Sequence, residues 1–420
     1  MANAVRWIPT LYFAQGLPYV VVMTVSVVMY KTLAISNTDI ALYTSWLYLP
    51  WVIKPLWSPI VDMFATKRRW IVATQLVVGA SLALVALTLP MPHFFQMSLA
   101  VFWLMAFASA THDIAADGFY MLALESHDQA AWVGVRSAFF RLAMIAGQGG
   151  LVYLAGTFGE LTGNVTLAWT IVLAFAGALF LGLFAWHRVV LPAPASDQAA
   201  PHGHGVLDGF VTTFAAFFRR PGIAAILAFL LLFRFAEAQG LKMVTPFLLD
   251  PPAQGGLGLT TAQVGIAYGT IGVVALTLGG ILGGLAISRH GLRRWLWPMT
   301  FAMHVPNLAF VYLAFTQPQN LAFVAATLAL EQFGYGFGFA AYLLFMIMVS
   351  EGAYKTAHYA ICTGFMALGM MLPGMASGWI QEQLGYASFF VWVCAATLPA
   401  FLVVALVEVK PGFGAKERAT

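Results

Sequence analysis

Charge is the scarcest property of this sequence. Asp, Glu, Lys and Arg make up 9% of its 420 residues, against about 25% in an ordinary soluble domain. So few charges cannot coat a globular surface of this size, and lipid must be the solvent for most of the chain. Cysteine is nearly absent as well. Cys362 and Cys394 both fall in apolar segments, a pattern of buried small hydrophobes that excludes a disulfide framework. No run of Lys and Arg interleaved with aromatics points to nucleic acid. No nucleophile–base constellation, His-x-x-x-His helix or metal-ligand spacing is present, so neither an enzyme, a cofactor nor a bound metal is expected. His202 and His204 lack a third ligand nearby and read as solvated linker residues. The first apolar run follows Arg6 but has no small-residue cleavage site and outlasts the core of a signal peptide, so it reads as a spanning helix.

What is present is apolar: 61% of the residues are hydrophobic. Twelve segments are long enough to span, near 7–31, 40–62, 70–89, 96–123, 131–156, 167–187, 222–248, 262–287, 294–315, 320–349, 357–381 and 387–408. With the N-terminus cytoplasmic, the inner side receives Arg6, Lys67, Arg68, Arg69, Arg188, Arg219, Arg220, Arg289, Arg293, Arg294, Lys355, Lys410, Lys416 and Arg418, and the outer side only Lys31. That asymmetry sets the orientation and, with an even number of spans, places both termini inside.

The chain repeats itself. Ala14-Gln15-Gly16-Leu17 recurs as Ala238-Gln239-Gly240-Leu241, the loop at Ser58–Arg68 aligns with Gly284–Arg294, and residues 356–375 follow the pattern of 131–150. Three nearly equal offsets argue for two six-helix halves in parallel orientation, with a ligand site expected between them near mid-membrane. The expected organisation is a first half over 1–188, a linker with an interfacial helix over 189–221, a second half over 222–410 and a tail over 411–420. The linker's start, rich in Pro, Ala and Gly, reads as flexible.

Against this apolar background, Ser109-Ala-Thr-His112-Asp113-Ile-Ala-Ala-Asp117 places two carboxylates and an imidazole inside a span. A charge in hydrocarbon costs about 2.5–3.5 kcal/mol even on lenient scales, so it needs a partner, a watered cavity or a function. Asp113 and Asp117 are four apart and share one helix face. They are the leading proton-carrying candidates for a secondary transporter, with His112 as a relay. The competing reading is a fixed ion pair between spans four and five. By helical rise Asp113 and Arg141 lie at similar depth, roughly 15–16 Å from the loop joining those spans, and Asp117 and Arg136 are both shallower. In the second half Arg234 and Glu237 are at i, i+3, and Glu331 and Gln332 precede an alternation of Gly and aromatics that includes Tyr335. Glu237 and Glu331 are further proton candidates. Solute contact is expected from Gln15, Tyr19, Lys54, Arg141, Gln148, Arg234, Gln239, Lys242, Gln332 and Tyr335. Lys54 alternatively snorkels to the surface, and Lys242 approaches the outer interface.

The loop Gly284-Leu-Ala-Ile-Ser288-Arg289-His290-Gly291-Leu292-Arg293-Arg294, with its counterpart Ser58…Asp62…Lys67-Arg68-Arg69, resembles the gating-loop hallmark of the major facilitator superfamily. It departs at Ser288, where the pattern has Asp, and at Ser58, where it has Gly. Gly16-Leu17-Pro18, Lys54-Pro55-Leu56-Trp57-Ser58-Pro59-x-x-Asp62, Ala73-Thr74-Gln75, Ser109-Ala-x-x-Asp113-Ile-x-x-Asp117 and Arg141 are similar to the AmpG-type muropeptide permeases of that superfamily. The resemblance implies an all-α membrane fold of twelve helices in two pseudo-symmetric halves. It further implies proton-dependent import across the bacterial inner membrane, classically of anhydro-muropeptides, by a monomer working through alternating access. Siderophore, acyl-CoA and drug carriers are similar to the same group and stand as alternative cargoes. Some permeases of this type carry two further spans, which are not expected before Thr420. A membrane sensor that does not transport would need larger loops for docking a partner.

Overall fold

Lipid offers no hydrogen bonds, so a spanning backbone must satisfy its own. The computed structural model, which describes residues 4–124, 126–198, 205–352 and 354–415, does so with helices throughout, and no strand occurs among these residues. Among the described residues, ten helices are each long and apolar enough to cross a membrane. Span one is Ala4–Thr32, span three Lys67–Thr88, span four Phe94–Ala123, span five Gly134–Thr162 and span six Val165–Val190. Span seven is Ile223–Leu249, span eight Thr261–His290, span nine Leu292–Thr316 and span ten Leu321–Ser350. The tenth helix, Ala357–Leu406, holds spans eleven and twelve, because Gly385 breaks it at φ 72° and ψ 163°. Such a φ is open to glycine at no steric cost. Span two completes the twelve as Asn37–Trp46 and Leu49–Phe64, each too short alone.

By internal contacts the chain forms two units: Met1–Ala34 with Ile53–His204, and Ile35–Val52 with Gly205–Thr420. A cut at the linker alone would leave residues 35–52 in the first unit. They fall in the second because Asn37 donates to Gln381 at 2.6 Å and to the Tyr386 hydroxyl at 2.9 Å, and Thr38 donates to Glu382 at 2.6 Å.

The first unit packs Trp7, Ile8, Leu11, Tyr12, Ile71 and Phe119 into a buried cluster. In the second, Phe229 and Phe233 of span seven stack on Tyr342 of span ten, with centroids 5.6 and 5.4 Å apart. The Gly alternation of span ten lets its neighbours close in on both sides. A Cβ at Gly336 would stand 2.0 Å from the carbonyl oxygen of Leu276 in span eight, and one at Gly334 would stand 2.2 Å from that of Ala302 in span nine.

The start of the linker is docked, not flexible. The carboxylate of Asp197 is buried and accepts from the backbone N–H groups of Lys67 at 2.7 Å and Arg68 at 3.0 Å. Free N–H groups at a helix start attract a carboxylate, and this one anchors the linker to span three. Arg68 adds donations to the carbonyls of Leu191 and Arg188. His202, His204, Lys416 and Arg418 lie outside the described residues. The helix Gly205–Phe218 follows, and its Phe217 is buried against the second unit's core.

Candidate functional site

Span four runs unbroken through its acidic stretch, so Asp113 and Asp117 do share a face. Their partners come from different elements. Asp113 is bound by Lys54 from span two and by the amide of Gln15 from span one. Asp117 pairs with Arg136 of the span-five helix at 2.9 Å and accepts from the Tyr12 hydroxyl at 3.4 Å. The Arg136 guanidinium lies over the rings of Tyr12 at 4.6 Å and Tyr120 at 5.4 Å. The depth match of Asp113 with Arg141 is therefore corrected. Arg141 points its guanidinium to the Met144 sulfur at 3.6 Å, and Lys54 neither snorkels nor stands apart from the acids. Helical rise fixes depth but not rotation, and Lys54 is turned toward span four. Asp113 and Asp117 thus each have their own cation.

His112 faces another way. Its Nε2 meets the Gln75 amide nitrogen at 3.0 Å, and the amide oxygen of Gln75 meets His187 Nδ1 at 2.9 Å. His187 Nε2 in turn lies 2.9 Å from the Thr10 hydroxyl. Four spans are joined by this chain, and its two histidines and the glutamine are buried. Tyr19 lies against Phe140 with centroids 6.4 Å apart, and Gln148 sits half-buried in the π-helical turn Ile145–Leu151. π-turns also interrupt span one at Val21–Val25 and span eight at Gly265–Gly272; such turns recur at functional sites.

The second unit is built differently. Span seven breaks at Arg234, whose φ of −107° and ψ of 16° end one helix and start the next. Arg234 is buried, donates to the Tyr335 hydroxyl and lies 4.8 Å over the Phe339 ring. Glu237 is 3.8 Å from Arg234, a separation too long for a hydrogen bond, and its two oxygens are buried. Glu331, also buried, accepts from Gln332 at 2.8 Å. Arg234 is the cation beside Glu237, and no described cation pairs with Glu331. Lys242 is buried in the second unit rather than at an exposed interface. It donates to Thr44 at 2.8 Å, with the Tyr48 ring 5.4 Å away. Gln239 accepts from Trp392 at 2.8 Å.

The gating-loop residues divide. Lys67 is buried, and Thr66 caps span three by accepting from the Arg69 N–H at 3.2 Å. Ser288 returns its hydroxyl to the Leu285 carbonyl, and Arg289, Arg293 and Arg294 are exposed. Gly284 has open space where a Cβ would go, and Gly291 turns the chain at φ 81°. The side chain of Asp62 lies outside the described residues. His187, Thr10, Thr44, Tyr48 and Asp197 escaped the sequence reading of function, and Gln75 entered it only within the Ala73-Thr74-Gln75 motif. A histidine in an apolar span was a usable signal for His187; the others are common helix or linker residues.

A sequence profile of the Major Facilitator Superfamily matches residues 10–358. Relatives include the "Anhydromuropeptide permease" of Escherichia coli (strain K12), 24% identical over 93% of this chain and 77% of that protein. The "Putative transporter AmpG 4" of Rickettsia conorii is 22% identical over 94% of both chains. Among solved structures, a D-xylose-proton symporter aligns with a TM-score of 0.72 over 96% of this chain and 98% of its own, at 13% identity. The nucleoside transporter NupG aligns with a TM-score of 0.68 over 98% of this chain and 100% of its own, at 18% identity. The profile match over most of the chain and the twelve-helix fold agree: the chain belongs to the Major Facilitator Superfamily and is a multi-pass membrane transporter of small molecules.

Proposed function

We propose that the chain is a proton-coupled importer of anhydro-muropeptides, working as a monomer by alternating access in the bacterial inner membrane with both termini cytoplasmic. The similarity to the anhydromuropeptide permease of Escherichia coli supports the cargo, and the segregation of Lys and Arg supports the orientation.

The observation that carries the coupling is a count of charge. Lys54 and Arg136 balance Asp113 and Asp117, so these two acids need no proton to be neutral. In the second unit, Arg234 stands 3.8 Å from Glu237, and Glu331 accepts from the neutral amide of Gln332. Only one of these two acids has a described cation beside it. An uncompensated charge in such an interior costs several kcal/mol, so one of the two carboxyls is held protonated. Access of water on one side releases that proton and on the other restores it. The exchanging proton is thereby assigned to Glu237 and Glu331, with Asp113 and Asp117 as fixed pairs. For the solute, Lys242 is the anion-binding candidate. It meets a hydroxyl and a ring, and no described carboxylate pairs with it.

The test is uptake of labelled anhydro-muropeptide into proteoliposomes with and without an inside-alkaline gradient. Gradient-driven accumulation that Glu331→Gln abolishes, while solute exchange at equal pH continues, supports both cargo and coupling. A folded protein that takes up none points to a siderophore or acyl-CoA cargo. Equilibration that ignores the gradient keeps the cargo and overturns the coupling.

A further inference from the structure

The buried chain Thr10–His187–Gln75–His112 joins two imidazoles through one amide. An amide has one accepting end and one donating end, whereas an imidazolium donates from both nitrogens and accepts from neither. A protonated histidine can therefore face only the amide oxygen. In the arrangement seen, that oxygen faces His187 at 2.9 Å. A proton added there is fully accommodated: Nδ1–H donates to Gln75, Nε2–H to Thr10, and the Thr10 hydroxyl to the Trp7 carbonyl at 3.2 Å. His112 is then the acceptor of the amide N–H and keeps its own proton on Nδ1, which is buried without a partner. Turning the amide over changes little in shape and reverses every role. Its oxygen then faces His112, and His187 becomes the neutral acceptor.

We infer that Gln75 is a positioning residue that lets one proton reside on His112 or on His187, but never on both at once. The two imidazoles belong to spans six and four and stand on either side of one amide. His187 lies three residues before the end of span six, and His112 lies about 16 Å inside span four by helical rise. The ionisable group facing His112 from its own helix is Asp113, itself bound to Lys54. Across Gln75 it is His187, which in turn faces His112. From span one the neutral Thr10 meets His187, and its hydroxyl reaches the backbone carbonyls of Trp7 at 3.2 Å and Arg6 at 3.5 Å. The amide thus ties the charge beside the Asp113 pair to the charge near the end of span six. Its use in transport rests on the proton-coupled reading above, but its chemistry does not.

The test is a proton count that needs no solute. Protein labelled with 15N-histidine is placed in lipid nanodiscs and titrated downward from neutral pH, and His112→Gln and His187→Gln assign the two imidazoles. The expected result is that His112 and His187 together gain one proton in the wild type. Each single variant also gains one on its remaining histidine. Gln75→Glu, which accepts at both ends in the same volume, raises the wild-type total to two. Wild-type protein gaining two protons on this pair overturns the inference. So does folded protein gaining none in all four forms. Failure of proton-driven uptake with the expected count would overturn the functional reading and leave this one standing.

Discussion

Lys54 closes the ion pair on Asp113 from the neighbouring helix of span two, and the Gln15 amide holds the other carboxylate oxygen. Both charged side chains are about one-fifth exposed, at 19% and 20%, so most of the water that would screen them is gone. Removing one partner strands the other, at about 3–5 kcal/mol for a buried pair and less at this exposure. Asp113→Asn and Lys54→Met should each lower the thermal unfolding temperature in detergent, and the double variant should recover most of the loss. Losses that simply add would mean that the two residues are not coupled.

Asp113 also has a transport readout. If the proton resides on Glu237 and Glu331, the double variant Asp113→Asn with Lys54→Met should keep gradient-driven accumulation. Loss of accumulation in that variant, with solute exchange intact, would return the carrier role to span four.

Lys242 is a buried cation with a hydroxyl and a ring for company. Lys242→Met should leave the fold intact or slightly steadier, since a desolvated charge is replaced by an apolar chain of similar length. A hydrogen bond to a charged group is worth about 1.5–3 kcal/mol, so KM for a carboxylate-bearing solute should rise roughly ten- to a hundredfold. An unchanged KM would remove Lys242 from the solute site.

Asp197 ties the linker to the first two N–H groups of span three. Its replacement by Ala should cost about 1 kcal/mol, the usual loss at a helix start. Faster proteolytic nicking between spans six and seven is the accompanying sign. Nicking at the wild-type rate would show that this contact does not restrain the linker.

Two glycines of one unit should behave oppositely. Gly336→Ala drives a Cβ toward the Leu276 carbonyl, 2.0 Å away in the present backbone, while Gly284→Ala enters open space. Overpacking of the first kind costs about 1–3 kcal/mol, and the second gains up to about 1 kcal/mol of helix propensity. Thermal unfolding of the purified variants in one detergent compares them directly.

The sequence by itself determined the solvent, the spans and their number. A chain with 9% charged residues must satisfy its backbone within helices in lipid, and hydropathy along the chain marks where each one runs. Even the interrupted segments were legible, because the apolar runs outlast the breaks at Leu47–Tyr48 and Gly385. The shared face of Asp113 and Asp117 was also legible, since helical period alone sets it. The partners of those acids were not. Periodicity orients side chains within one helix, but pairing depends on how neighbouring helices are rotated about their own axes. That rotation is set by packing, such as the Gly336–Leu276 approach, which no local pattern encodes. Tertiary structure therefore decided that Lys54 rather than Arg141 meets Asp113, that Glu331 meets a neutral amide while Glu237 lies near Arg234, and that Gln75 lies between two histidines from different spans. It also turned a Pro- and Ala-rich linker into a docked segment, because the carboxylate of Asp197 found free N–H groups at the start of span three.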